Sequence, residues 1–566
     1  MKRVIYAPLA EEDIYELARW FAAGALALAV VIDRYHWAEV SQWREDQATD
    51  LWLGYAARAT GLPVGLLSST GLPNPNGMPL MGAVLSLLPS LAAVSTFLGL
   101  FQAFAIVVFC RTFLGDRPIA FWTVLLVLLS SVRLRGVGVE FCNHWVLTPF
   151  ILLFLVVLLR YLRSPSWAAL PLFALLALVP VSLYLGGLVE SVVFTILSAV
   201  ALALRRPKGG AAILSIALTL GVVLLAAKLT WVRFFRAVPW AAATSLARSP
   251  LRERLLISAR AVLTFPRWIF QWARLDYSPL LQSHRAILDP AARRLGVVVG
   301  WIERTQVALL LVVLALAAGR FASRRARRPS DGSSGSLRGL RRATPFLLVL
   351  ATLLLSYAVS PLVGGPDWAR NERLDAAVRL LPLETFLTVS ASWILLPDRA
   401  RVSRVLRGAT VVLAVALVAT SSMAGWAVVR SHLDYRGAVL SDADVPLLDK
   451  QRAIGFVAQD WLRSHPGESV SVEYRVAGRW ESVRAEGAKF GRWYPDTYTI
   501  GRSYDYDLLR RFGLHNCRQG PSTGGPTDPS RYVLTYAFAP APGDPPGTFT
   551  HHLFGRLRVS VRDVAS

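Results

Sequence analysis

Two adjacent carboxylates, Glu45 and Asp46 in WREDQATDLWL (Trp43–Leu53), are the first residues in this chain whose types and spacing could do chemistry. A carboxylate at a membrane face can take a proton from a hydroxyl. It can equally be the solvated start of a loop. Asp50, four residues on, could share a helix face with Asp46 or pair with a loop arginine. A turn-rich stretch, SSTGLPNPNGMP (Ser68–Pro79), follows. Residues able to meet an anion come later: Arg133, Arg135, His144, Arg370 and Arg373. The planar fork of arginine bonds two phosphate oxygens at once, although an arginine at a helix end also anchors lipid headgroups. Whether these groups can cooperate depends on the elements that carry them.

Those elements are mostly apolar. The 566-residue chain is 54% hydrophobic and only 17% charged, with mean hydropathy +0.44, whereas soluble domains are nearer one quarter charged. Long apolar runs such as Phe21–Ile32, Ile151–Leu159 and Val307–Ala318 account for the difference and indicate an α-helical polytopic membrane protein. The net charge of +24 would suggest nucleic acid in a soluble chain. Here most arginines cluster between apolar segments, as membrane anchors do, which argues against a nucleic-acid partner. Cys110, Cys142 and Cys517 form neither a disulfide framework nor a metal-ligand spacing. The first apolar segment follows the acidic EEDIYELARW rather than a basic leader, so it reads as a retained anchor.

Segments centred on 18–34, 78–110, 118–132, 146–160, 167–185, 188–204, 211–230, 298–319, 345–363, 376–396 and 409–428 give about eleven crossings. The second is too long for one straight span, and Pro79 and Pro89 divide it into a short re-entrant piece and a full helix. If each segment crosses once, Arg111/Arg117, Arg160/Arg163, Arg205–Lys208, Arg320–Arg342 and Asp398–Arg407 share one side. By the positive-inside rule that side is the cytoplasm, together with the N-terminus, in a plasma (inner) membrane. SDGSSGS, within the basic stretch 320–344, reads as a flexible linker. The outer side then receives 35–77, 133–145, 231–297, 364–375 and everything after about 430. Cys142 and Cys517 share that side, which leaves open one disulfide or two thiols. Two regions follow: a transmembrane domain, 1–429, and an extracytoplasmic domain, 430–566. In the second, SVSVEYRV (Ser469–Val476) and RYVLTYAF (Arg531–Phe538) alternate as strands do. VPLLDKQRAIGFVAQDWLRSH before them has helical periodicity, and together they suggest a small α/β domain.

With that topology, Glu45 and Asp46 lie just outside the first helix. ATDLWLGYAARATG after them suits a helix on the membrane surface, and the Pro/Asn/Gly loop returns the chain to the second helix. This order of features resembles the GT-C glycosyltransferases, in particular the protein O-mannosyltransferase-like and aminoarabinose-transferase-like group. The resemblance extends through FCNHWVLTPF (Phe141–Phe150), with a basic or aromatic residue before a helix-opening proline. It covers roughly 15–200 well and 340–430 loosely. Two departures stand out: Glu45-Asp46 where many relatives have Asp-Glu, and NPNGMP where the family loop often has Pro-Pro.

The resemblance implies sugar transfer from a polyprenyl-phosphate-linked donor to an envelope acceptor, a lipid, glycan or protein, on the outer side. Asp46 would be the general base, with Glu45 as its alternate or as the group orienting the acceptor. A single displacement would invert the anomeric centre. Arg133, Arg135, His144, Arg370 and Arg373 would meet the departing phosphate or the acceptor. No ligand cluster decides whether a divalent cation assists. His551–His552 has no supporting ligands and reads as surface, and the Tyr/Asp alternation of Thr499–Leu509 reads as a strand-to-helix connection or an acceptor contact. Glu190, after GGLV at a helix junction, could face a cavity, and the Trp/Phe/Arg-rich 231–297 reads as an interfacial helix or as a lid over the donor. The competing readings are a lipid-linked sugar transporter or flippase, which usually shows paired broken helices in two halves, and an inactive GT-C-like scaffold.

The threading is open to a direct check. A phosphatase that folds only outside the cytoplasm is expected to be active when fused after Ser566 and inactive when fused within SDGSSGS. The reverse pattern would invert the whole assignment.

Overall fold

The computed structural model describes residue 21 and residues 24–35, 77–85, 87–88, 91–115, 117–131, 134, 143–183, 187–231, 250–272, 349–360 and 382–392. It also describes single helical positions between 294 and 315 and between 412 and 426, and strand residues 470–476, 479–482, 532–537, 549–551 and 557–563.

Helix α1 covers 24–35. The long second segment is broken as Pro89 requires, into α2 (Gly77–Leu85) and α3 (Leu91–Leu114). Pro79 does not break it. It lies in the first turn of α2, where the missing N–H would have had no helical partner in any case. At nine residues α2 is about 14 Å long and cannot cross a bilayer. The segment therefore crosses once, the condition on which the arginine pattern depends.

Next come α4 (Pro118–Ser130), α5 (Asn143–Arg163), α6 (Ala169–Leu183), α7 (Leu188–Leu204) and α8 (Ala212–Ala226), the last continued by a π-helical turn, Ala227–Trp231. Pro149 was expected to open a helix. Instead α5 begins at Asn143, and Pro149 lies inside its second turn. Helix α9 is Leu251–Trp272, α10 is Val349–Ser360 and α11 is 382–392.

The core is aromatic where three helices meet. Phe154 of α5 stacks on Phe194 of α7 with centroids 3.8 Å apart, and Tyr161 of α5 meets Phe173 of α6 edge-on at 5.5 Å. Helix α11 is buried along its whole length, and its Phe386 packs against Phe113 of α3. Helix α8 is the opposite case, with Ile213, Leu214, Leu220 and Leu224 all exposed. Leaving one such side chain in water forgoes about 1.5–3 kcal/mol, so a helix apolar on every face belongs in lipid. Among the described residues, Ala93–Leu114, Val146–Arg163 and Ala212–Thr230 are long and apolar enough to cross a membrane.

One end of the bundle collects the basic residues. Arg163 of α5 donates to the Thr112 carbonyl at the end of α3 (2.6 Å), and the Tyr161 hydroxyl donates to the Arg205 carbonyl after α7. The Lys208 N–H donates to the Pro165 carbonyl (3.3 Å). Arg111, Arg117, Arg160, Arg163, Arg205 and Lys208, three of the five clusters predicted to share a side, thus lie at one end. The clusters at Arg320–Arg342 and Asp398–Arg407 lie outside the described residues.

The C-terminal region holds a mixed five-stranded sheet of order β2-β1-β3-β5-β4. Strands β1 (Val470–Val476) and β3 (Tyr532–Ala537) are the two anticipated from alternation. They lie side by side and parallel, Val470 opposite Tyr532. Strands β2 (Arg479–Ser482), β4 (Phe549–His551) and β5 (Leu557–Asp563) complete the sheet through antiparallel pairs. The helix expected before β1 lies outside the described residues.

Glycine decides how closely α6 and α7 join. A Cβ at Gly187 would overlap the Pro180 carbonyl, whereas one at Gly221 would meet nothing within 4 Å. Gly187→Val is expected to destabilise the protein by about 1–3 kcal/mol through overpacking, and Gly221→Ala to be neutral or slightly stabilising. Thermal unfolding in detergent distinguishes the two.

Candidate functional site

The end of the bundle away from the arginines is lined with buried polar groups. At the junction of α6 and α7, Pro180 has no N–H to give and interrupts the helical ladder. The next N–H, that of Val181, donates to the Ser191 hydroxyl of α7 (3.0 Å). Beside Ser191, Glu190 is only 2% exposed in the first turn of α7. A carboxylate there gains from the helix dipole, and an acid at membrane depth is a functional candidate by default.

Two further elements close on the same junction. The Ser182 hydroxyl donates to the Leu178 carbonyl (2.8 Å) and lies 3.5 Å from the Thr230 hydroxyl in the π-helical turn after α8. A Cβ at Gly77 would overlap the backbone of Ser182, so the start of α2 rests directly on the end of α6. Gly77 ends the predicted outer loop 35–77. Gly77 itself therefore lies at this end of the bundle.

At the end of α4 the chain leaves the helix at Ser131, and Leu134, 0% exposed, is held by two bonds. Its carbonyl accepts from the Gln102 amide of α3 (3.2 Å), and its N–H donates to the Ser131 hydroxyl at a long 3.5 Å. Leu134 is itself helical, and its sequence neighbours Arg133 and Arg135 lie outside the described residues. At the end of α1, Arg34 is buried to 3% exposure and pairs with Asp33 at 3.0 Å, immediately before the acidic loop.

Glu45, Asp46, Asp50, Arg133, Arg135, Arg370 and Arg373 themselves lie outside the described residues. His144 is in the first turn of α5, and His551 ends β4. Among the described residues no three His, Cys, Asp or Glu gather in a way that could hold a metal ion. In the Trp/Phe/Arg-rich region the structure gives α9, whose buried face, Ile257, Ser258 and Ala261, meets the protein. The Ser258 hydroxyl donates to the Ala358 carbonyl of α10, while Leu251, Leu255, Leu256 and Leu263 stay exposed. An apolar outer face suits the interfacial helix expected from the sequence.

No protein-family model matches this chain, and no curated protein sequence matches it. Two solved structures are similar. One is ArnT from Cupriavidus metallidurans in the apo state, 12% identical, with 92% of this chain and 93% of that chain covered and a TM-score of 0.44. The other is the same protein bound to undecaprenyl phosphate, 13% identical, with 91% and 93% covered and a TM-score of 0.41. A likeness this loose fixes neither fold nor activity, which rest on the chain's own residues.

Three groups at this end carried no sequence signal strong enough to single them out: Gln102, Ser191 and Arg34. A lone glutamine inside LFQAFAIVVF, and the acid-base step of IDRYHW at a helix end, were the available hints. Ser191→Ala leaves the Val181 N–H without its acceptor and is expected to cost about 1–3 kcal/mol. Ser198→Ala, on the same helix, is the comparison, and denaturation of the detergent-solubilised protein reads the difference.

Proposed function

We propose that this chain is an integral membrane glycosyltransferase, transferring a sugar from a polyprenyl-phosphate donor to an envelope acceptor at the face opposite the basic end. What supports the reading is the polar junction at that face, where Gly77, the last residue of the predicted acidic loop, rests on Ser182 close to the Ser191 hydroxyl and the buried Glu190. By the positive-inside rule the basic end is cytoplasmic. The polar end then opens where nucleotide sugars are absent and a lipid phosphate must serve as leaving group.

In the proposed reaction an acceptor hydroxyl attacks the anomeric carbon from the side opposite the phosphate. Its proton passes to the Asp46 carboxylate, with Glu45 orienting the acceptor. The bond from the anomeric carbon to the phosphate oxygen breaks, and its electron pair leaves with the polyprenyl phosphate. One displacement inverts the anomeric centre. Negative charge gathers on the departing phosphate beside an apolar wall, where cations stabilise it strongly. Arg133 and Arg135 are proposed for that task, with Arg370, Arg373 and His144 as further contacts to phosphate or acceptor. The C-terminal region, whose sheet holds β1–β5, would complete the outer face as an α/β domain.

The test is reconstitution in vesicles with radiolabelled polyprenyl-phosphate sugars and an envelope extract. Asp46→Asn is expected to lower transfer by about 10²–10⁴-fold with donor binding retained, and Glu45→Gln to lower it less. Full activity in both variants, or no transfer by the wild type from any donor, would overturn the proposal.

A further inference from the structure

We infer that the Ser182 and Thr230 hydroxyls form the core of a sodium-binding site, where the end of α6 meets the π-helical turn after α8. The site is separate from sugar transfer and does not depend on it.

A serine or threonine hydroxyl has a single proton to donate and two lone pairs. Ser182 gives its proton to the Leu178 carbonyl (2.8 Å), and Thr230 gives its own to the Ala226 carbonyl (2.6 Å). The two oxygens nevertheless face each other at 3.5 Å, from different elements. With both protons used within their own helices, none remains for the gap between them. What fits there either donates to both oxygens or is itself positive.

The surroundings favour a positive occupant. Helix α6 ends at Leu183, and the last carbonyls of a helix form the negative end of its dipole. Glu190, 2% exposed, is next to Ser191, whose hydroxyl accepts the N–H of Val181, the residue before Ser182. A carboxylate at that depth, in apolar surroundings, attracts a cation more strongly than it would in water. Lys228, in the same π turn as Thr230, is exposed. Among the described residues of α8 and this turn, only Ser215 and Thr230 are buried. Broken helix ends hold coupling ions in membrane transporters, and π turns recur at functional sites.

The spacing selects the ion. Oxygens 3.5 Å apart on adjacent corners of an octahedral shell correspond to a metal–oxygen distance of about 2.5 Å, which is calcium's range. Magnesium, at about 2.0–2.1 Å, would bring the same two oxygens to about 2.9 Å. Calcium sites draw on several carboxylates, whereas Glu190 is the acid that the described residues place at this junction. Sodium has nearly the radius of calcium and half its charge, and suits hydroxyls, helix-end carbonyls and a single carboxylate. Such a site needs no cluster of acids or histidines, and none occurs among the described residues. The ligands are also held in advance. The start of α2 presses on the Ser182 backbone at Gly77, and Ser191 holds Val181, so little order has to be gained when the ion binds.

The full-length protein in nanodiscs is unfolded by heat in sodium, potassium and choline chloride at equal concentration. Sodium is expected to raise the unfolding temperature by about 1–3 °C over choline, and potassium clearly less. Thr230→Val keeps the shape and removes one oxygen, and Ser182→Ala removes the other. Both should lose the sodium increment, whatever their unfolding temperature in choline. Glu190→Gln should need about tenfold more sodium for the same increment. Ser198→Ala, at a buried hydroxyl about two turns further along α7, should respond as the wild type does. Equilibrium binding of radioactive sodium should saturate in the wild type and not in Thr230→Val.

Equal unfolding temperatures in the three salts overturn the inference, as does an increment that survives in both Ser182→Ala and Thr230→Val. If the two variants weaken binding of a polyprenyl-phosphate sugar and sodium has no effect, the oxygens serve a sugar hydroxyl, and the inference fails. Sodium binding without sugar transfer leaves it standing while the transferase reading falls.

Discussion

A hydrocarbon solvent offers no hydrogen bonds, so every backbone and side-chain polar group within this bundle has to find its partner in the protein. The hydroxyls on the helices meet the demand locally. Thr112, Thr195, Thr219, Thr230 and Thr388 each donate to the carbonyl four residues earlier in their own helix. Such residues cost little at membrane depth and carry no long-range information. The informative places are those where the helical ladder stops, because there the partner must come from elsewhere. Ser191 serves the Val181 N–H after Pro180, and Gln102 serves the Leu134 carbonyl after α4. Both lie toward the same end of the bundle.

The two ends are built differently for a physical reason. At the basic end, helices are tied by bonds from Arg163, Tyr161 and Lys208 to neighbouring carbonyls, and the connections between α3 and α4 and between α7 and α8 are short. That closed end acts as a base against which helix lengths can be read. At the other end the lengths are unequal: α3 has 24 residues and α4 thirteen. Polar groups gather at that end, at the junction of α6 and α7. Charge interactions there are stronger than in water, because the surroundings are apolar.

How far the chain could be read from its sequence differs from element to element. The helices from α3 to α8 were legible because a run of apolar residues with basic ends has one stable arrangement in a bilayer. Proline was harder to read. Pro89 breaks its segment, yet Pro79 is absorbed in a first turn and Pro149 in a second, since the effect of a missing N–H depends on where the helix happens to begin. The strands β1 and β3 were visible as alternation, whereas their parallel pairing was not, because they are 55 residues apart at their closest ends. Strand β5 reads LRVSVRD, is as long as β1 and alternates equally well, so its pattern was equally present in the sequence. Glu190 drew attention as an acid in an apolar setting. Its burial beside the Val181–Ser191 bond depended on the approach of α6, set by Gly187 against Pro180.

By itself the sequence determined the solvent, the order of the spans and the clustering of arginines, because these follow from local composition and from transfer free energies that hold for any chain of this pattern. It also supplied the acidic pair and the arginines as chemically able groups. Only the tertiary structure decided that a glutamine in α3 serves a carbonyl beyond α4, that the start of α2 rests on the end of α6, and that the polar groups collect opposite the arginines. Those are contacts between segments distant in the chain. Their partners are fixed by helix lengths and close approach, quantities that appear only once the helices are packed.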